Sequence, residues 1–254
     1  MTVDDLGAHV ALTARPSRVV SLVPSITESI ALTCPDVLVA TTDWCTHPAG
    51  LDVVRIRGTK NPDCRAIIDL APDLVVANME ENREIDVRRL RDAGVTVWVT
   101  RIETLDESFT SLRRLFTLAL MVDIPSWLLR AEAIWATPAG PTTTRVGVAI
   151  WRDPWMVVGS STFTGDLVSR LGVVNAFADH PDRYPAVSLD DLQKEADLVL
   201  LPDEPYVFTA DDGPESLPRV RTALVSGRDL TWYGPSLVEA RARLSTAIAG
   251  ALRT

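Results

Sequence analysis

Lysine is almost missing from this 254-residue chain: Lys60 and Lys194 stand alone against 23 arginines. Acids outnumber bases 34 to 25, and the net charge of −9 excludes a protein whose main partner is nucleic-acid phosphate or an anionic bilayer. No apolar run approaches the roughly 18 residues that cross a membrane, and stretches such as 19–23 and 198–201 are strand-sized. Three cysteines (Cys34, Cys45, Cys64) cannot pair completely. Residues 1–12, MTVDDLGAHVAL, hold two acids and no base, unlike a secretory leader. Together these predict a cytoplasmic protein, with an exported one whose leader was trimmed as the alternative. Phosphate-loop, dinucleotide and His-Glu-x-x-His motifs are also missing, and the glycines of 159–165 lack nucleophile-elbow spacing. The chain is therefore expected to be a non-enzyme with no catalytic residue and no required cofactor.

What is present suits a folded protein, with 46% apolar and 23% charged residues. Short β-branched runs alternate with amphipathic stretches, the α/β signature. Strands are predicted at 18–23, 37–42, 74–77, 95–100, 145–150, 156–158 and 198–201. Helices are predicted from Pro24, from an Asn61-Pro62-Asp63 start, over 81–93 with Gly94 closing it, and over 162–171, 190–195 and 236–252. Residues 106–121 and 125–135 read as helix with no strand between them, and 137–144 is a Pro/Gly/Thr stretch. The expected organisation is an N-terminal α/β lobe (1–122), a bridging helix (123–137) and a C-terminal α/β lobe (138–254).

Four segments in order carry a resemblance: Arg18-Val-Val-Ser-Leu-Val-Pro-Ser-Ile-Thr-Glu28, Ala71-Pro-Asp-Leu-Val-Val-Ala77, Arg-Val-Gly-Val-Ala-Ile at 145–150, and Leu171-Gly-Val-Val-Asn175. Over nearly the whole chain the sequence resembles the class III solute-binding proteins, the helical-backbone metal receptors, and within them the cobalamin-binding branch. The resemblance implies two Rossmann-like lobes joined by a helix, a ligand cleft between them, and a monomer that binds a metal chelate. A corrinoid is the first expectation and haem or an iron–siderophore the alternative, for an ABC-type importer or a signal-less cytosolic carrier.

Ligands of open α/β sheets meet the loops after the carboxyl ends of strands. Those loops here are 43–48, 58–62, 78–83, 151–155, 202–208 and 232–235. They contain Trp44, Trp151, Trp155 and Trp232, flat surfaces suited to a tetrapyrrole face, or else plugs of the lobe cores. Tyr206, Phe208 and Tyr233 extend that aromatic set. Lys60, beside Thr59, reads first as a solvated loop lysine, and otherwise suits a phosphate or carboxamide arm. Glu80 and Glu81 with Arg83, and Asp203 with Glu204, offer acceptors to amide arms, or serve only as helix-terminal acids.

Asp43-Trp44-Cys45-Thr46-His47 is the chemically densest segment. His47 is a candidate axial ligand of a chelated metal, and Asp43, Cys45 and His47 a candidate site for a bare metal ion, as chaperone or metal-dependent enzyme. In the resembled family one acid on each lobe docks on the permease. Those positions fall on Arg65, which reverses the sign, and Asp190, and this argues against an ordinary permease partner.

Overall fold

The computed structural model describes residues 2–253. The chain divides into two compact units: Met1–Ile102, Asp106–Leu129 and Tyr233–Pro235 form one, and Glu103–Leu105, Arg130–Trp232 and Ser236–Thr254 the other. The helix Ser126–Trp135 contains the division at 129/130.

The first unit is built on a five-stranded, fully parallel sheet, in spatial order Val54–Arg55, Leu38–Thr41, Val19–Ser21, Leu74–Asn78 and Val97–Thr100. Its inner strands read as uninterrupted apolar runs because both faces are covered. Val20, Leu22, Val75, Ala77, Ile67 and Leu90 share one core cluster beneath the helices Cys64–Asp69 and Glu84–Asp92. Pro24 opens the helix Pro24–Ala31 directly after the first strand, its missing N–H costing nothing in the first turn. Gly94, at φ +82°, supplies the left-handed residue that ends Glu84–Asp92. From the far end of the chain, Gly234 presses so close to the first helix that a Cβ there would lie 2.7 Å from Ser29 Oγ and 3.1 Å from the Ser25 carbonyl oxygen.

Three expectations are corrected in this unit. Asn61 and Pro62 do not start a helix; they pair antiparallel with Arg57–Gly58, and Asp63 caps the helix by accepting from the Ala66 N–H at 3.1 Å. The helix expected over 81–93 begins only at Glu84, because Asn78 and Asn82 draw the backbone of 78–81 into a side-chain-bonded turn. The helix expected over 106–121 opens out after Leu105–Arg114 into a wider π turn, Leu115–Ala119.

The second unit carries Met156–Val157, Arg145–Trp151, Leu198–Pro202 and Arg221–Val225 in that spatial order, with Val174–Asn175 beside the start of Arg145–Trp151. All pairings are parallel except the short hairpin to Met156–Val157, where the register slips between Ala149 and Trp151. That slip places Trp151 at the end of a strand, not in the loop where the sequence reading put it. Thr162 and Ser188 cap the helices Phe163–Arg170 and Leu189–Glu195. Trp155, Phe177, Leu192, Val199, Leu201 and Phe208 anchor the core, and the chain closes with Leu237–Arg253.

Candidate functional site

In the first unit the loops at the carboxyl ends of the strands are tied by two buried asparagines. Asn78 Oδ1 accepts from the N–H groups of Glu80 (2.8 Å) and Glu81 (3.2 Å), and Asn78 Nδ2 donates to Thr100. The Asn78 N–H donates to Asn82 Oδ1 at 2.8 Å. Asn82 Nδ2 reaches in turn to the carbonyl oxygens of Leu22 (3.3 Å) and Thr59 (2.9 Å). Three separate loops are thus joined through one amide. Lys60, from the hairpin after Arg57–Gly58, donates through Nζ to the Glu80 carbonyl oxygen. Half-buried Glu81 has its carboxyl pushed up by desolvation, with the Lys60 charge opposing. Arg83 is held on Asp86 at 2.8 Å.

Trp44 is the exposed aromatic of this unit, at 66% of its surface. It stands over Gly58, where a Cβ would come 3.2 Å from Trp44 Nε1 and 2.5 Å from Asn61 Oδ1. Trp98 is fully buried in its strand. Cys45 and His47 point apart. Cys45 Sγ lies in the core, 3.0 Å from Thr27 Oγ1 and 3.1 Å from Thr42 Oγ1, and burial pushes its thiol pKa up. His47 is exposed, with Nδ1 3.1 Å from Thr46 Oγ1, and Asp43 is exposed as well. Among the described residues no three His, Cys, Asp or Glu side chains gather as a metal site would require, so the structure does not assemble Asp43, Cys45 and His47.

The second unit brings four of the expected aromatics into one cluster. Trp151, 44% exposed, meets Tyr206 edge-on at 5.6 Å and 79°. Tyr206 contacts Phe208 at 4.7 Å, and Phe208 stacks on Trp155 at 5.6 Å and 22°. Phe208 and Trp155 are buried pillars, whereas Trp151 presents its ring outward. Asp203 Oδ1 accepts from the Gly227 N–H at 2.7 Å. Glu204 packs so tightly on Gly227 that a Cβ there would sit 2.2 Å from Glu204 Cγ. Trp232 is buried, with the Arg228 guanidinium 5.9 Å from its ring centre, and Tyr233, a residue of the first unit, is buried too. Asp190 is exposed and paired with Arg219, and Arg65 is exposed on Cys64–Asp69.

Sequence reasoning passed over Asn78, Asn82, Arg152, Asp212 and Glu215. The only signal for the first two is a pair of amides four apart at a strand end, which fits a turn. Arg152 was hidden among 23 arginines, and its carboxylate partners lie some sixty residues away.

Each unit is a largely parallel α/β sheet with an exposed indole near the carboxyl end of a strand, Trp44 in one and Trp151 in the other. No family model matches the chain. It is 25% identical over 211 residues to the vitamin B12-binding protein of Vibrio cholerae, covering 79% of this chain and 74% of the relative. It is also 25% identical to an uncharacterized ABC transporter substrate-binding lipoprotein, YvrC, of Bacillus subtilis, over 98% and 85%. In fold it matches the periplasmic heme-binding protein BhuT in complex with two hemes, with a TM-score of 0.76 at 21% identity over 94% and 100% of the two chains. The chain is thus similar in sequence and fold to solute-binding proteins of class III, and the relatives named are binding proteins, not enzymes.

Those relatives overturn the cytoplasmic expectation: they are periplasmic proteins and a lipoprotein, which points to export. The opening residues misled because they are folded structure. Thr2–Val3 pairs with His9–Val10, Asp4 holds Arg91 at 2.7 Å, and Asp5 holds Arg114. Their acidity serves those pairs. The thiols are compatible with an oxidising compartment, Cys34 and Cys45 being buried.

Proposed function

We propose that the chain is the ligand-binding component of an ABC-type importer and that its ligand is a corrinoid, cobalamin or a close kin. The observation that carries this reading is that the strand-end loops hold exposed indoles and carboxylates, while Lys60, Arg83 and Arg152 in those loops are already engaged. Trp44 and Trp151 offer flat apolar faces. The strand-end loops also carry Glu80 and Glu81 in the first unit and Asp203 and Glu204 in the second. Lys60 is spent on a carbonyl, Arg83 on Asp86, and Arg152 on Asp212 and Glu215. A corrin ring carries amide arms that donate to carboxylates. Haem carries two carboxylates, which would meet like charge on such loops at a cost of specificity. On this reading the chain is a monomer that offers Asp190 to the permease, while Arg65 places a positive charge where the resembled family has its other docking acid.

Titration of the purified protein with cyanocobalamin, cobinamide, hemin and a ferric siderophore, followed by ligand absorbance and Trp fluorescence, tests this. Saturable binding of the two corrinoids with quenching is the expected result. Tight binding of hemin or the siderophore with none of either corrinoid overturns it.

A further inference from the structure

The aromatic surface of the second unit depends on a residue that offers no ring to it. Arg152 sits in the turn between Trp151 and Trp155 with only 19% of its side chain exposed. Its guanidinium bonds Asp212, reaches Glu215 Oε1 at 2.9 Å and Ser216 Oγ at 3.3 Å, and lies 5.6 Å from the Trp155 ring centre. Asp212 receives the Tyr206 hydroxyl on its other oxygen at 2.7 Å. Glu215 in turn accepts from the Gly213 N–H and from Ser216 Oγ.

Ring contacts between Trp151, Tyr206 and Phe208 are weakly directional and would let the 206–216 loop slide over the hairpin turn. The fork of Arg152 is directional: its donors lie in one plane and meet two carboxylates and a hydroxyl on one short loop. One of those carboxylates is the group that orients the Tyr206 phenol.

We propose that Arg152 is the positioning residue of the ligand face in the second unit, fixing Tyr206 against Trp151 through Asp212 and Glu215. This rests on the reading of Trp151 and Tyr206 as ligand-facing, and the assignment of Arg152 concerns how that face is held before any ligand arrives.

The chain has three tyrosines, Tyr184, Tyr206 and Tyr233, so fluorotyrosine labelling gives three fluorine resonances, with Tyr206→Phe identifying the one of interest. In ligand-free R152A, the Tyr206 resonance is expected to shift and broaden while the other two keep their positions. Cyanocobalamin affinity is expected to fall about tenfold or more, the equivalent of one charge-assisted hydrogen bond. R152K is expected to restore part of the affinity and not the resonance, since a point charge cannot reproduce the fork. D212N should reproduce the spectral change with Arg152 intact, which covers the case in which R152A fails to fold. An unmoved Tyr206 resonance in both R152A and D212N overturns the proposal. Full restoration of the resonance by R152K also overturns it. If the wild-type protein takes no corrinoid, the corrinoid reading falls, and the resonances still decide the role of Arg152.

Discussion

Replacing Asn82 by Ala removes three hydrogen bonds at one stroke: from the Asn78 N–H, and to the Leu22 and Thr59 carbonyl oxygens. Each is worth about 1 kcal/mol net, and a buried group left unpaired costs its desolvation as well. Asn78 and Asn82 are both almost fully buried, so water repays little, and N82A is expected to destabilise the protein by about 3 kcal/mol. At roughly 2–4 °C per kcal/mol for a chain of this size, that is a fall in Tm of about 6–12 °C. N82D is the informative partner. It keeps the acceptor that faces the Asn78 N–H and turns the donor into an oxygen facing two carbonyl oxygens. The introduced carboxyl is thereby pushed above its ordinary pKa, so the folded state binds protons more readily than the unfolded one, and the defect of N82D should shrink as pH falls through that range. N82A should show no such pH dependence. Urea unfolding at pH 7 and pH 5 measures both. A loss below about 1 kcal/mol for N82A, or equal pH profiles for the two variants, would refute the account of Asn82 as the tie between three loops.

Trp44→Ala and Trp151→Ala should leave Tm nearly unchanged while weakening cyanocobalamin binding, because these rings are exposed; Trp155→Ala should cost about 3–5 kcal/mol of stability, because its ring is core. Native protein treated with a thiol reagent at neutral pH should release at most one equivalent quickly, from half-buried Cys64, and three after denaturation, since burial both shields Cys34 and Cys45 and raises their pKa; three fast equivalents would contradict the placement of the thiols. Desolvation of the Glu215 carboxyl is outweighed by bonds from Ser216, Gly213 and Arg152, which hold it at about 2 against an ordinary 4.5. Its folded-state pKa is depressed, so its contribution is full above about pH 4.5 and is lost as pH falls toward 2. The stability gap between wild type and E215Q should close over that window, and a gap constant from pH 5 to pH 2 would show that Glu215 gains nothing from its partners.

How much of this was legible follows from burial. Strands buried on both faces announce themselves as apolar runs, and Val19–Ser21, Leu74–Asn78 and Leu198–Pro202 were read close to their bounds. Arg221–Val225 escaped because it is a partly exposed edge strand with polar residues at its start, a pattern no different from a loop. The aromatic loop residues were found, yet their division into exposed rings (Trp44, Trp151) and buried ones (Trp155, Trp232) was invisible, since a tryptophan suits either place. Cys45 and His47 looked like neighbours because they are two apart, and the backbone between them turns one inward and the other out. Long-range ties such as Arg152 to Glu215 have no local periodicity to betray them.

The small segment Tyr233–Pro235 has a consequence for the order in which the molecule is made. It belongs to the first unit and packs Gly234 against the helix Pro24–Ala31, although most of that unit is encoded before residue 130. During synthesis the first unit therefore waits, one side of its opening helix uncovered, until all but the closing helix has left the ribosome. The opening helix of the first unit is thus completed by residues that are among the last to be made.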